Sequence, residues 1–515
     1  MRVCFFLLVL CCLLPAAHGQ AQETAKLTAS DGTSSDLLGQ IALDLSDDGQ
    51  YAIGGAWQHD HPTFLSGSAY VFFRDGGAWG EQAELTASDA ATGDEFGYGV
   101  ALSGDGTYAI VGAPGDDDTF FLSGSAYVFT RTGTAWSQQQ KLNASDPGDS
   151  DRFGSSTALS ADGTIALIGA RLDGGAGSST GSAYVFTRSG TTWAEEAKLL
   201  ASDGADGDRF GAAVALSADG QVALVGAQDD DDAGAGSGAV YIFVRTGTTW
   251  TEQAKLTASD AAGGDLFGRA VGISGDGQYA VVGAYLDDDD GADSGSIYIF
   301  ARTGTTWTEQ AKLTASDAAA GDQFGYGVAI NDGGTVLMGG ANAEDEGGSD
   351  AGAAYAFVRN GTTWSEAEKL TASDAAANDF FGRTTALSAD GQTVFVGADG
   401  DDDNGSDSGS AYVFEDVVVV AIEEMPAEGA LLSAAAPNPF RQQARLTLTL
   451  AQAEPVRVVL YDLLGREVRV LHDGLLSAQT AQTLIVSADG LPSGLYLVRV
   501  STPSFTESRR VVLQR

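Results

Sequence analysis

Asp265-Leu266-Phe267-Gly268-Arg269-Ala270-Val271, followed by Val282-Gly283-Ala284, decides how the middle of this chain must be read. Its Phe-Gly pair also occurs at 96, 153, 210, 324 and 381, always in steps of 57 residues, and Leu38-Gly39 takes the same place 58 residues before the first of them. Trp79, Trp136, Trp193, Trp250, Trp307 and Trp364 keep the same period. Self-similarity at this length marks an array or closed ring of one supersecondary unit, and it overrides a domain count made from the 515 residues alone.

Working outward from Phe210, residues 213–217 alternate as a short strand, Ala218-Asp219-Gly220 is a hairpin turn, and residues 221–227 form a second apolar strand. An Asp/Gly/Ser loop over 228–237 leads to a third strand at 239–244; Thr246-Gly247-Thr248 turns the chain into a fourth at 250–257. In the third strand both alternating sets are apolar, Ala239, Tyr241 and Phe243 against Val240, Ile242 and Val244, so both faces of its sheet are covered. A four-stranded sheet buried on both faces and repeated is a propeller blade. Gly-Ala pairs at 55, 112, 169, 226, 283, 340 and 397 count seven blades. The fourth-strand Trp occurs only six times in the array, and Ala25-Lys26-Leu27-Thr28-Ala29-Ser30-Asp31 matches Ala254 to Asp260. The N-terminal stretch is therefore expected to supply the outer strand of the last blade, with Ala21 in place of the missing Trp, closing the ring over 22–416 and hiding its edges.

Arg2, the apolar run 3–14 and a small-residue site at Ala17-His18-Gly19 or Gly19-Gln20-Ala21 read as an export leader over 1–19, too short to span a membrane. Lipid attachment at Cys11 or Cys12 lacks the small residue wanted just before the Cys, since Leu8-Val9-Leu10 precede them. Cys4, Cys11 and Cys12 are the only cysteines, so a mature chain would carry no disulfide. The net charge of −43 is uneven: residues 1–436 hold 18 Lys and Arg against 64 Asp and Glu, whereas 437–515 hold nine against six. Such a surface repels nucleic acid and anionic membranes, and serves either solubility or the attraction of cations and basic partners. After Asp416 come an apolar run at 417–422, a linker extending to 436, and strand-like runs at 444–450, 456–461, 467–471, 482–486, 495–501 and 507–513, a pattern of a small antiparallel sandwich over 437–515. The fold class is thus all-β, a seven-bladed propeller of four-stranded antiparallel blades plus a small C-terminal β-sandwich.

The order Phe-Gly, Gly-Ala, Gly-x-x-Tyr-x-Phe resembles the FG-GAP repeat of integrin alpha-subunit propellers, and a bacterial variant of it with the Thr-Thr-Trp-x-Glu-Gln-Ala-Lys-Leu segment seen at 248–256 and 305–313. The tail resembles the C-terminal sorting domain of the Bacteroidetes type IX secretion system, through Pro437-Asn438-Pro439-Phe440, Val459 to Val468, Gly490 to Val500 and Arg509 to Leu513. These resemblances imply handling by the outer-membrane secretion machinery, removal of the tail, and a propeller that is released or kept at the cell surface.

The integrin resemblance implies calcium in the turn between first and second strands, but turns such as Ser274-Gly275-Asp276-Gly277 offer one carboxylate where calcium takes six to eight oxygens, and read as Asp-Gly hairpins. The acidic loops after the second strands are the better candidates for calcium: Asp116 and Asp118, Asp229 and Asp231, Asp287 and Asp289, Glu344 to Glu346, and Asp401 and Asp403. In an up-and-down blade they share a face with the blade-to-blade loops, which carry Asp89 and Asp94, Asp260 and Asp265, and Asp317 and Asp322. Solvated acidic loops are the alternative. His59 and His61, the only histidines of the array, flank Asp60 and are either metal ligands or an incidental loop pair. Arg-Thr-Gly-Thr-Thr-Trp resembles the Asp-box turn of sialidases without its Asp, and Arg131, Arg188, Arg245, Arg302 and Arg359 recur in phase as structural residues do. No catalytic residues or certain cofactor are assigned. The expectation is a non-enzymatic binding or adhesion propeller with a protein or glycan ligand on the acidic face; a structural surface or matrix protein and, further off, a propeller-fold glycoside hydrolase are the alternatives.

Overall fold

The chain forms two compact units that divide after residue 418. The structure, a computed structural model, describes residues 21–174, 178–417, 430–432, 440–450, 454–462, 466–476, 482–488, 491, 494–502 and 506–513. The leader at 1–19 and most of the linker expected over 417–436 lie outside these. Among the described residues there is no helix, and so none long and apolar enough to cross a membrane.

The first unit consists of seven four-stranded antiparallel sheets. In the fifth blade, Ala270–Ile273, Tyr279–Ala284, Ser296–Thr303 and Thr306–Leu313 pair in chain order from the axis outward. The first turn forms because Asp276 Oδ1 accepts the Ser274 hydroxyl at 2.6 Å and the Gln278 N–H at 3.0 Å, while Gly277 takes a φ of +65°. Ile297, Tyr298, Ile299 and Phe300 in the third strand are all buried, as a sheet covered on both faces requires. The seventh blade is assembled from both ends of the array: Thr385–Leu387, Thr393–Ala398, Ser410–Glu415 and, outermost, Gln22–Leu27, paired from Gln22 opposite Glu415 to Leu27 opposite Ala411 with a shift of register between Glu23 and Ala25.

The Phe-Gly pair joins the blades. Phe96 is fully buried and meets Tyr127 and Phe129 of its own third strand edge-on, with centroids 5.5 and 6.0 Å apart, an arrangement repeated at Phe153, Phe210, Phe267 and Phe381. Gly97, at φ +95°, lies so close to the preceding blade that a Cβ would stand 2.2 Å from Ser68 O, and a Cβ on Gly55 would stand 1.8 Å from Gly97 O. Both glycines are thus fixed by backbone packing against backbone. Leu38 replaces the Phe at the seam, and bridges to Gly409 as Phe96 bridges to Gly67.

The tail unit has a three-stranded sheet, Ala430–Leu432, Gln443–Leu450 and Gln482–Ser487, and a four-stranded one ordered Glu467–Leu476, Glu454–Asp462, Gly494–Ser501, Thr506–Leu513. Leu446, Leu448, Val458, Leu460, Val498 and Val500 form its core. The unit begins earlier than residue 437: the Ala-Leu-Leu run at 430–432, placed in the linker by sequence, pairs with Leu448 to Leu450 and extends the smaller sheet. Val417 is a turn residue buried against the seventh blade; the rest of the apolar run at 418–422 lies outside the described residues.

Candidate binding surface

The loop after each second strand and the loop leading into each blade meet on the face where the Phe-Gly pairs lie. In the fifth blade they bring Asp260, Asp287 and Asp289 together, and the Lys312 ammonium from the outer strand sits among them, 2.9 Å from Asp260 and Asp287 and in contact with Asp289. The buried Tyr298 hydroxyl is 2.7 Å from Asp260 and 2.6 Å from Asp287. Burial pulls the ammonium's pKa down, but the bonds to the three carboxylates override it and hold it above its ordinary value. Burial likewise pushes Asp260 up, and Lys312 and Tyr298 bring it below the usual range. Lys26, Lys141, Lys198, Lys255 and Lys369 repeat this cage, each within 3.0 Å of two or three carboxylates.

Most residues expected to gather calcium are therefore gathered, but around an ammonium of the chain itself. Asp116 and Asp118 meet Lys141; Asp401 and Asp403 meet Lys26. In the fourth blade the sequence reading is one residue out of register. Asp230 and Asp232, rather than Asp229 and Asp231, hold Lys255, because the position is counted from the Gly226-Ala227 pair and not from the start of the Asp run. Asp229 instead meets Arg209 at 3.2 Å, and Asp231 accepts the Gly236 N–H. Asp265 lies outside the cage and caps its own loop through the Ala262 N–H at 2.7 Å.

At the axis of the same face the character changes. One segment from each blade lines a cavity of about 200 Å³ at the mouth of the central channel. Tyr326 is held between Arg269 and Arg383, whose guanidinium carbons stand 4.9 and 5.1 Å from its ring centroid, and Arg269 Nη2 donates to its hydroxyl at 3.3 Å. Burial pushes the Tyr326 phenol up, but the two arginines outweigh this and bring its pKa below the usual value. Tyr285 packs edge-on to Tyr326 at 4.9 Å. Across the mouth Arg171 donates to the Tyr98 hydroxyl at 2.8 Å and lies over that ring, with Trp57 edge-on beside it. Asp399, buried between Gln40 and Arg383, is the carboxylate behind this group. Arg383 Nε and Asp399 Oδ1 face each other at 3.6 Å as an ion pair, and the buried Asn342 Oδ1 makes no hydrogen bond, an uncommon state for a buried polar atom. The outcome is a cationic, aromatic centre within an acidic ring.

Seven matches to the FG-GAP repeat cover residues 21–72, 79–129, 136–186, 193–243, 250–300, 307–357 and 364–414. The chain belongs to the FG-GAP repeat family. Residues 435–514 match the secretion system C-terminal sorting domain, the signal of the type IX route, so the protein is exported to the cell surface or medium. Among curated proteins no relative is found. Solved structures similar to this FG-GAP propeller include the RRP9 WD40 repeats, 11% identical over 77% of this chain and 99% of that one, TM-score 0.47. A fungal alcohol oxidase of the AA5 family in complex with copper is 12% identical over 96% of this chain and 100% of that one, TM-score 0.45. The GH74 xyloglucanase of Xanthomonas campestris is 14% identical over 83% and 59%, TM-score 0.45.

The axial residues of the FG-GAP propeller are the ones sequence reasoning missed. The position after each Phe-Gly reads Gln40, Tyr98, Ser155, Ala212, Arg269, Tyr326 and Arg383, and the position after each Gly-Ala reads Trp57, Pro114, Arg171, Gln228, Tyr285, Asn342 and Asp399. Loss of identity at two places in an otherwise faithful repeat was the available signal.

Proposed function

We propose that the exported FG-GAP propeller is a non-enzymatic binding module whose ligand seats at the axial mouth of the acidic face, and that the ligand is a terminal acidic sugar of a glycan. The observation that carries this is the Arg269–Tyr326–Arg383 stack lining the cavity. Guanidinium forks suit a carboxylate, and aromatic rings suit the flat face of a sugar. At about 200 Å³ the cavity is below the range of roughly 300–1,000 Å³ usual for drug-sized ligands, so it takes one ring rather than a chain lying flat. The carboxylate pair that most glycoside hydrolases use is not formed there, since no Asp or Glu lines the cavity among the described residues. Adhesion to a glycan-coated surface is the consequence. Calorimetric titration of the full chain with D-glucuronate and with neutral glucose tests it. Binding of glucuronate only, lost in Arg269→Ala and weakened at least tenfold in Arg383→Lys, is expected; equal affinity for glucose, or indifference to Arg269→Ala, would overturn it.

A further inference from the structure

The first blade is the one in which the lysine cage is rewritten. The cage lysine stands opposite the third-strand Tyr in the outer strand, and here Tyr70 is opposite Glu84. The acid three residues past the Gly-Ala pair becomes His59, and the one two residues further becomes His61. His59 occupies the Asp287 position by its backbone as well: its N–H bonds to Ala56 O and its carbonyl accepts from Gly67, as those of Asp287 do with Ala284 and Gly295. Asp31 keeps the Asp260 position and accepts the Tyr70 hydroxyl at 2.8 Å. The internal cation has thus been exchanged for another anion, and two loop carboxylates for imidazoles.

From this geometry we infer that the first blade carries a binding site for a zinc-type divalent transition-metal ion, with His59, His61 and Glu84 as ligands. One donor atom from each lies within 4.8 Å of the other two. His61 Nδ1 and Glu84 Oε1 are 3.2 Å apart, close to the edge of about 3.3 Å expected for a tetrahedron with arms of roughly 2.0 Å. His59 is 4% exposed, and its Nε2 makes no hydrogen bond. Its Nδ1 stands 3.0 Å from the buried Asp36 carboxylate, the orienting contact that metal-bound histidines use, and its Nε2 is 3.7 Å from Asp31 Oδ2, which makes Asp31 the available fourth ligand. Two nitrogens with one or two carboxylates suit zinc, and are too few and too soft for calcium. His61 and Asp31 are solvent-facing, so the ion has a way in.

Titration of the full chain with zinc chloride, followed by calorimetry, is expected to show one saturable site per chain that calcium does not compete for. His61→Ala is expected to weaken it at least tenfold, and Glu84→Lys, which restores the cation of the other blades, to abolish it. The combined variant His59→Asp, His61→Asp, Glu84→Lys reproduces the fifth blade's cage; it is expected to melt as the unsubstituted apo protein does and to bind no zinc. Absence of one-to-one zinc binding, or zinc affinity unchanged in Glu84→Lys or in the combined variant, would overturn the assignment.

Discussion

Replacing Lys312 by Met removes the ammonium from its cage and leaves the rest of the blade in place. Its contacts with Asp260 and Asp289 contribute little, because those side chains are 40% and 61% exposed and solvent screens such pairs to about 0–1 kcal/mol. The decisive partner is Asp287, at 6% exposure. Losing one member of a buried pair costs about 3–5 kcal/mol, but Asp287 would keep the Tyr298 hydroxyl and the Asp289 N–H, and Lys312 is itself partly exposed, so about 2 kcal/mol is the expected loss. For a unit of this size that lowers Tm by roughly 3 °C, extending the trend of about 2–4 °C per kcal/mol in smaller domains. The same change frees three converging carboxylates for a cation from solution. Differential scanning calorimetry at pH 7 should therefore show the variant melting lower than the parent and recovering when millimolar calcium is added, with the parent unmoved. A variant that melts with the parent, or calcium raising both equally, would refute the view that the chain's own lysines neutralise the acidic face.

Four other expectations follow from the packing. Burial, reinforced by Asp116 and opposed by the Ala91 N–H, pushes the Asp94 carboxyl up to about 6, so the folded state holds this proton more tightly than the unfolded chain does. The penalty for ionising it is absent below about pH 4, grows between pH 4 and 6 and is complete above. Asp94→Asn, which keeps an acceptor for Ala91, should stabilise by roughly 2 kcal/mol at pH 7 and by nothing at pH 4, read from paired melts. Asp151, Asp208, Asp265, Asp322 and Asp379 are raised for the same first cause, so the parent protein should melt highest in mildly acid buffer. A chain starting at Ser35 lacks the strand Gln22–Leu27 and should melt far below the full chain, with the third strand of the seventh blade newly open to hydrogen exchange. Gly97→Ala places a methyl group against Ser68 O and Ala56 N at a φ of +95°, and should cost about 3 kcal/mol or more in urea melts.

The blade was legible because its markers answer to backbone geometry: Phe-Gly and Gly-Ala stand where adjoining sheets touch through glycine, and nothing else fits. The N-terminal strand was legible for the same reason, since Lys26-Leu27-Thr28 repeats a segment whose place in the blade was known. The cages were only half legible. Acidic runs declare themselves, but the lysine that meets them lies 23 to 25 residues further along in the outer strand, and only the pairing of Tyr298 with Lys312 brings it back. The one-residue error at Asp229 and Asp231 arose because an Asp run has no internal landmark. The axial arginines were hidden by the repeat itself: they occupy positions where the seven copies disagree, which averaging over copies erases.

The seam inside the seventh blade has a mechanical consequence. The strand Ser410–Glu415, from which the chain leaves toward the sorting domain, is an interior strand, bonded to Thr393–Ala398 on one side and to Gln22–Leu27 on the other. A force applied through the tail, as when secretion machinery draws on it, cannot peel an outer strand rung by rung. It must load two ladders at once, and one of them is anchored by residues nearly 390 positions away in the chain. The strand at which the chain leaves the propeller is thus held from both sides.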